Sequence, residues 1–238
     1  MTTTVIGKGI KITLYGHAAM KLEGAGASVL IDPWLSNPSL QTPISALGPL
    51  TLILVTHGHS DHIGDTVEIA RATGAPVAAI HELSHYLAGQ GLSNVIGMNK
   101  GGTLNQGGVR VTMTQAVHSS TAEEGGRLIP TGDPAGFVVA FANGFVAYHA
   151  GDTAVFKDME LIRELYHPQV AMLPIGSHYV MSPAEAALAC RLLQPDFVIP
   201  MHYGTFPVLT GTPQELEAHL KDQPKIKVLA LQPGESVE

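Results

Sequence analysis

The stretch His57-Gly58-His59-Ser60-Asp61-His62 decides how this chain is interpreted. It follows a continuous apolar run that predicts a buried strand, and it precedes a segment with helical periodicity. Residues two apart in an extended chain point the same way, so His57 and His59 can share one metal ion. Asp61 and His62 are adjacent and diverge, which suits a second ion alongside. Imidazole and carboxylate groups are ligands for zinc, iron, manganese or nickel.

Chance is a poor explanation of this pattern, because a random H-x-H-x-D-H arises about once per thousand chains of this composition. A rival motif, His81-Glu82-Leu83-Ser84-His85, matches the helical zinc-protease pattern H-E-x-x-H. Chance produces that shorter pattern roughly thirty times more often, and a third ligand at the expected spacing is missing. We therefore expect the rival motif to be an ordinary surface helix.

Four further polar residues stand where predicted strands end, namely His118, Asp152, His178 and His202. Binding and catalytic residues commonly lie on loops that a rigid sheet holds in place. Each of the four, taken alone, is more often structural. Taken together with the residues 57–62, they complete two metal sites.

The whole chain of 238 residues and 25.0 kDa is long enough for one sizeable core, or at most two small ones. Predicted strands cover 10–15, 20–23, 28–31, 50–56, 77–80, 103–116, 136–148, 170–174, 197–200 and 226–231. Predicted helices cover 65–73, 81–88, 156–166 and 183–193, and another starts at 213. Because no linker divides these elements, we expect one domain over residues 1–238, with sheets inside and helices outside.

Composition and charge indicate which classes of molecule this protein binds. Lys+Arg 13 against Asp+Glu 20 gives a net charge of −7, and no basic cluster suggests a dedicated nucleic-acid module. The longest uncharged stretch, 34–56, contains three prolines and predicts no membrane helix. Residues 1–9 lack the basic start and apolar run of a signal peptide. We expect a cytoplasmic protein with a small-molecule substrate, and a homo-oligomer is left open.

The chain resembles the metallo-β-lactamase superfamily of metal-dependent hydrolases, whose five motifs occur here in order. Asp32, in Leu30-Ile31-Asp32-Pro33, matches the first motif, and the stretch 57–62 matches the second. His118, Asp152 and His202 match the third, fourth and fifth. The resemblance implies an α+β fold, the four-layer αββα sandwich of that superfamily.

Further stretches narrow the resemblance to one branch, the small cytoplasmic metal-dependent hydrolases related to ascorbate-phosphate lactonase. These stretches are 97–103, 116–120, 149–153, 176–181 and 200–207. One departure is Ser177, where the branch usually has glycine.

The resemblance also implies a ligand set for two divalent metal ions, with zinc expected first and manganese, nickel or iron as alternatives. The first ion would be held by His57, His59 and His118, and the second by Asp61, His62 and His202, with Asp152 bridging. Asp32 would fix the loop that carries the ligands. We expect His149 and Thr153 to be structural, and the non-ligand histidines to be His17, His81, His85, His167 and His219.

In the implied reaction, water bound between two metals becomes hydroxide near neutral pH and attacks an ester, lactone or phosphodiester. Asp61 and His178 are the predicted catalytic residues. Asp61 would orient the hydroxide, and His178 would bind the substrate anion or protonate the leaving group, unless it only forms the pocket wall. An iron-dependent redox enzyme on the same scaffold is the alternative function. A non-catalytic scaffold is disfavoured because all seven ligands are present.

Overall fold

The computed structural model describes residues 5–238, and within them the chain forms sixteen strands and six α-helices. The first eight strands are β1 (Lys11–Gly16), β2 (Ala19–Gly24), β3 (Ala27–Ile31), β4 (Leu52–Leu54), β5 (Val77–Ile80), β6 (Val95–Met98), β7 (Thr103–Gln106) and β8 (Val109–Gln115). The others are β9 (Thr121–Glu124), β10 (Arg127–Pro130), β11 (Ala135–Phe141), β12 (Val146–His149), β13 (Val170–Pro174), β14 (Phe197–Met201), β15 (Lys227–Val228) and β16 (Ser236–Val237). The helices are α1 (Ser60–Ile63), α2 (Thr66–Thr73), α3 (His81–Gly89), α4 (Met159–Tyr166), α5 (Pro183–Leu193) and α6 (Pro213–His219), and Ile44–Ala46 forms a short 3₁₀ helix.

The strands form two mixed sheets that repeat one plan. The first sheet has the order β16-β1-β2-β3-β4-β5-β6, and the second has the order β15-β14-β13-β12-β11-β8-β7. In each sheet antiparallel pairing comes first along the chain, and parallel pairing follows from β3 to β6 and from β12 to β15. The exception is β16, the last strand, which pairs antiparallel with β1 at the edge of the first sheet. Strands β9 and β10 form a separate antiparallel hairpin.

Side chains alternate between the two faces of each central strand, and this alternation produces the layers of the fold. In β13, Val170 and Met172 belong to the core that the two sheets share, whereas Ala171 and Leu173 pack beneath α4, α5 and α6. A strand buried on both faces has no polar side, so its sequence is a continuous apolar run. Helix α3 packs against β5 and β6 of the first sheet. The result is helix, sheet, sheet, helix, which confirms the predicted α+β four-layer sandwich; the single domain stays a prediction.

The structure differs from the predicted elements at two places that shape the site. The apolar run 50–56 supplies only the three residues of β4, because the Thr56 N–H turns to donate to the Asp32 carboxylate. The β9–β10 hairpin was missed because it lies outside both sheets and has no apolar alternation. Its side chains are mostly exposed and include Glu123, Glu124 and Arg127.

Parallel pairing places the candidate metal-ligating residues at the carboxyl ends of strands in both sheets. Asp32 follows β3, the stretch 57–62 follows β4, Asp152 follows β12, and His202 follows β14. The carboxyl ends of neighbouring parallel strands meet at the same edge, which is where ligands bind in sheets of this kind. Among the helices of residues 5–238, none combines the length and apolar character needed to cross a bilayer.

Candidate metal centre

Asp32 ties the end of β3 to the loop after β4. Its Oδ1 accepts the Thr56 N–H at 2.8 Å, and its Oδ2 accepts the Thr56 hydroxyl at 2.7 Å and His62 Nδ1–H at 2.8 Å. The carboxylate is fully buried, and its backbone lies in the left-handed region with φ 47°. Three hydrogen bonds within the protein compensate the burial of this charge. The loop-fixing role expected of Asp32 agrees with these contacts.

The same contacts orient two imidazole rings. Since the Thr56 hydroxyl gives its only proton to Asp32, its oxygen accepts from Nδ1–H of His57, 3.0 Å away. His62 also donates from Nδ1, because an ionised carboxylate can only accept. In both rings Nε2 is therefore the nitrogen that can face a metal ion, as a hydrogen bond at one ring nitrogen fixes the role of the other.

Ligand-type atoms gather into three overlapping groups, and within each group the atoms lie within 4.8 Å of one another. The first group is His57, His59 and His118; the second is His17, Asp61, His62 and His202; the third is His57, His62 and Asp152. All seven residues predicted as ligands are therefore in one place, in two sets joined by the third group. Their role as ligands stays a prediction.

Asp152 lies at the centre of this arrangement. Its Oδ2 is 3.0 Å from Nε2 of His202, 3.3 Å from Nε2 of His62 and 3.6 Å from Nε2 of His118. One carboxylate oxygen thus approaches imidazoles from both predicted ligand sets. A bridging carboxylate needs this position.

Several buried polar atoms of the centre have no hydrogen-bond partner among residues 5–238. They are Nε2 of His62, both ring nitrogens of His202 and Oδ1 of Asp152. Buried polar atoms are nearly always hydrogen-bonded, and when they are not, binding of a metal ion is one explanation. Imidazole nitrogens and carboxylate oxygens suit divalent zinc, manganese, nickel or iron. The residues present therefore fit a metal centre.

The two carboxylates of the centre stay ionised. Burial raises the pKa of Asp61, but the hydrogen bond from His17 and the nearby His202 imidazole outweigh burial and lower it far below its usual range. Burial also raises the pKa of Asp152, and the positive charges of His202 and His62 lower it further than burial raises it. Permanent negative charge in this position favours a cation.

The carboxylates in turn raise the pKa of two imidazoles that they contact, those of His202 and His62. Burial lowers the pKa of His202, but the Asp152 carboxylate raises it to about 9. Burial lowers the pKa of His62 as well, and Asp152 and Asp32 together raise it well above its usual value. Because a ligating imidazole must be neutral, a metal ion has to displace these protons.

His17, expected to be a non-ligand histidine, lies in the centre beside Asp61. It is buried, and its Nε2 donates to Oδ2 of Asp61 at 3.0 Å. Its Nδ1 lies 2.9 Å from the Thr205 hydroxyl, which therefore donates to it. Burial lowers the pKa of His17 to about 4, so the ring is neutral. His17 directly follows β1, so the signal that selected the other four residues, a polar residue at a strand end, would have found it.

His178 is not brought to the centre, which corrects the expectation that it reaches over the metals. It is exposed and lies outside all three ligand groups of the described chain, and the neighbouring Tyr179 lines the pocket instead. Ser177 and His178 both have left-handed backbones, with φ 63° and 48°. Gly176 is needed because a Cβ there would overlap the carbonyl oxygen of His202.

Gly58 is needed because the ligand loop packs closely against a neighbouring hairpin. A Cβ there would overlap Thr131 Oγ1 and lie 3.0 Å from the carbonyl carbon of Thr121. The Gly58 N–H donates to Ser120 Oγ at 3.0 Å, and that oxygen lies 2.8 Å from Thr131 Oγ1. The ligand loop therefore contacts the base of the β9–β10 hairpin directly.

Three other histidines that were expected to be non-ligands lie away from the centre or have both ring nitrogens bonded. His81 and His85 are exposed on α3 and lie outside the ligand groups found in residues 5–238. Both nitrogens of His149 are used by the backbone, because Nε2–H donates to Ala18 O and Nδ1 accepts the Gly151 N–H, each at 3.1 Å. No nitrogen of His149 is left for a metal ion.

A pocket of about 410 Å³ opens over the centre. It is lined by His59, Ser60, Asp61, His118, Ser119, Thr121, Glu123, Leu128, Asp152, Tyr179 and His202. This volume suits a small molecule. The ligand residues form its floor, and the β9–β10 hairpin and the loop after β13 supply the walls.

Comparison with known proteins agrees with this geometry. Residues 27–203 match the family described as Beta-lactamase superfamily domain. A UPF0173 metal-dependent hydrolase of Rubrobacter xylanophilus is 51% identical, with 96% of each chain covered, and one of Chloroflexus aurantiacus is 47% identical, with 98% of each covered.

The structure is also similar to Igni18, a metallo hydrolase from Ignicoccus hospitalis. The two share 39% sequence identity with a TM-score of 0.86, over 96% of this chain and 97% of the other. The family match, the relatives and the fold point the same way. The chain therefore belongs to the metallo-β-lactamase superfamily, among its metal-dependent hydrolases.

Proposed function

We propose that this metal-dependent hydrolase uses two divalent ions to cleave an ester, lactone or phosphodiester bond in a small molecule. The observation that carries the proposal is the pair of ligand groups joined through His57, His62 and Asp152. In this proposal His57, His59 and His118 hold the first ion, Asp61, His62 and His202 hold the second, and Asp152 bridges them. Zinc is the expected metal, and the same donor set accepts manganese, nickel or iron.

When bound, two divalent ions supply a water molecule of lowered pKa and positive charge for the developing oxyanion. Asp61 orients that water. His17 and His202 approach its Oδ2, which leaves Oδ1 for a proton of the water. The Asp61 side chain is 23% exposed and lines the pocket, so it is within reach of the substrate. His17 holds the carboxylate in that orientation.

The proposal is tested by metal content and activity of matched variants. His59→Ala and Asp61→Ala should each lower the bound metal and reduce kcat by at least about 100-fold. The double variant His81→Ala, His85→Ala is the control, because it removes two exposed histidines outside the centre. It should retain metal and activity. Loss of metal in the control, with metal retained in the other two variants, would contradict the assignment.

Substrate class and metal are tested together. A panel of lactones, esters, phosphodiesters and short RNAs is assayed with zinc, manganese and nickel forms of the protein. Hydrolysis of at least one class, abolished by chelation, is the expected result. Elemental analysis of the purified protein distinguishes zinc from iron, and a coloured iron protein without hydrolytic activity would favour the redox alternative.

A further inference from the structure

We propose that the substrate carries an uncharged, apolar group beside the scissile bond, and that this group lies between Leu128 and Tyr179. This inference rests on the proposed function and names the substrate class of the same pocket. It favours neutral esters and lactones over phosphorylated substrates and RNA.

The pairing register of the β9–β10 hairpin determines which of its side chains share a face. Leu128 lies directly opposite Glu123, so the two side chains share one face, and both line the pocket. Ala122 points to the other face and is buried against the protein. The hairpin is therefore anchored by one face and offers the other to the substrate.

Two large apolar side chains are left uncovered at this pocket. Leu128 is 70% exposed and Tyr179 is 59% exposed, and they come from different walls, the hairpin and the loop after β13. Apolar area that lines a concave site gains free energy when a ligand removes it from water. An apolar substituent between these two side chains would therefore make the binding free energy more favourable.

Charge on the walls disfavours an anionic substituent. Of the pocket-lining residues in the described range 5–238, none is lysine or arginine, and outside the ligand set the charged one is Glu123. Arg127 adjoins Leu128 in β10, so its side chain points to the opposite face. A phosphate or carboxylate beyond the reacting bond would meet Glu123 without a cation to pair with.

Hydroxamates test the inference by binding, because the hydroxamate group chelates zinc and the tail then samples the walls. Acetohydroxamate, hexanohydroxamate and adipic monohydroxamate are titrated calorimetrically into the zinc-loaded full chain. We expect hexanohydroxamate to bind at least about tenfold more tightly than acetohydroxamate, and adipic monohydroxamate to gain nothing from its tail.

Two variants identify the walls. Leu128→Lys should remove the hexanohydroxamate advantage and strengthen adipic monohydroxamate binding, whereas Glu123→Gln should strengthen only the latter. Leu165→Lys is the control, since Leu165 is 68% exposed on α4 and does not line the pocket. Acetohydroxamate affinity, metal content and melting temperature should be unchanged in all three.

The possible failures are distinguishable. If acetohydroxamate binds but the tails make no difference, or if Leu128→Lys acts no differently from Leu165→Lys, the apolar wall is refuted and the proposed function stands. If no hydroxamate binds to the zinc-loaded protein, the proposed function fails, and this inference fails with it.

Discussion

At the scale of single residues, two successive hydrogen bonds hold Asp61 in position. Its Oδ2 accepts from His17, and His17 accepts from Thr205, so a chain of hydrogen bonds leads from the loop after β14 into the centre. Residues that orient metal ligands are needed nearly as much as the ligands themselves.

His17→Ala should therefore lower occupancy of the second ion and reduce activity about 10–100-fold. His17→Gln should restore part of both, because its amide N–H can donate to Asp61 from nearly the position of Nε2. The measurement is metal equivalents per chain after dialysis, together with kcat. His219→Ala, at an exposed histidine on α6, is the control. Retention of two ions and full activity in His17→Ala would contradict the role assigned to His17.

Ser177 gives a second prediction at this scale. It has φ 63° without the conformational freedom of glycine. Ser177→Gly should raise the free energy of unfolding by about 1 kcal/mol, since a left-handed backbone costs a non-glycine residue that much. Urea unfolding measures the change. Ser93→Gly, at an exposed serine without positive φ, should be neutral or slightly destabilising; an equal gain there would remove the explanation.

Individual residues also show what could be predicted from sequence. The seven expected ligands could be named because they stand at strand ends in motifs of known order. His178 stands in a similar position, but its direction depends on two successive left-handed residues, which the sequence does not specify. His17 also stands at a strand end, directly after β1, so the same signal applied to it would have placed it at the centre.

At the scale of elements, the β9–β10 hairpin is held by the ligand loop and forms a pocket wall. Its base contacts Gly58, where a side chain would overlap Thr131. Local signals predicted some elements well: the helix expected over 183–193 is α5, which Ser182 caps in a capping box with Glu185. The hairpin gave no such signal, since its pattern reflects contact with a substrate pocket and water, and not burial in the core.

Gly58→Ala should destabilise the protein by about 1–3 kcal/mol, as expected for overpacking. Thr131→Ala alone removes a hydrogen bond with Ser120, and we expect it to cost about 0.5–1.5 kcal/mol. In the double variant the two costs should not add, because Thr131→Ala removes the oxygen that the new methyl group meets. A double-mutant cycle in urea measures the coupling. Strict additivity would show that the hairpin base does not press on the ligand loop.

At the scale of the whole molecule, the centre lies between the two sheets. His57, His59, Asp61 and His62 follow β4 of the first sheet, whereas Asp152 and His202 follow strands of the second. Ions bound by both sets would join the two halves of the sandwich. The core that the sheets share is continuous, so we expect the halves to unfold together.

Metal removal should therefore lower the melting temperature while keeping one cooperative transition. Free metal at a thousandfold excess over its Kd stabilises by about 4 kcal/mol. At 2–4 °C per kcal/mol, that corresponds to a decrease of roughly 8–16 °C for each ion removed by chelation. Calorimetry with and without a chelator measures it. Two separate transitions would contradict the single domain, and an unchanged melting temperature would contradict a metal held between the sheets.

The central claim is that two metal ions occupy this centre, and anomalous diffraction from zinc-loaded crystals tests it most directly. We predict two anomalous peaks at the zinc absorption edge. One lies among His57, His59 and His118, the other among Asp61, His62 and His202, and Asp152 contacts both. A single peak, or a peak at His81 and His85 with none at the centre, would contradict the account.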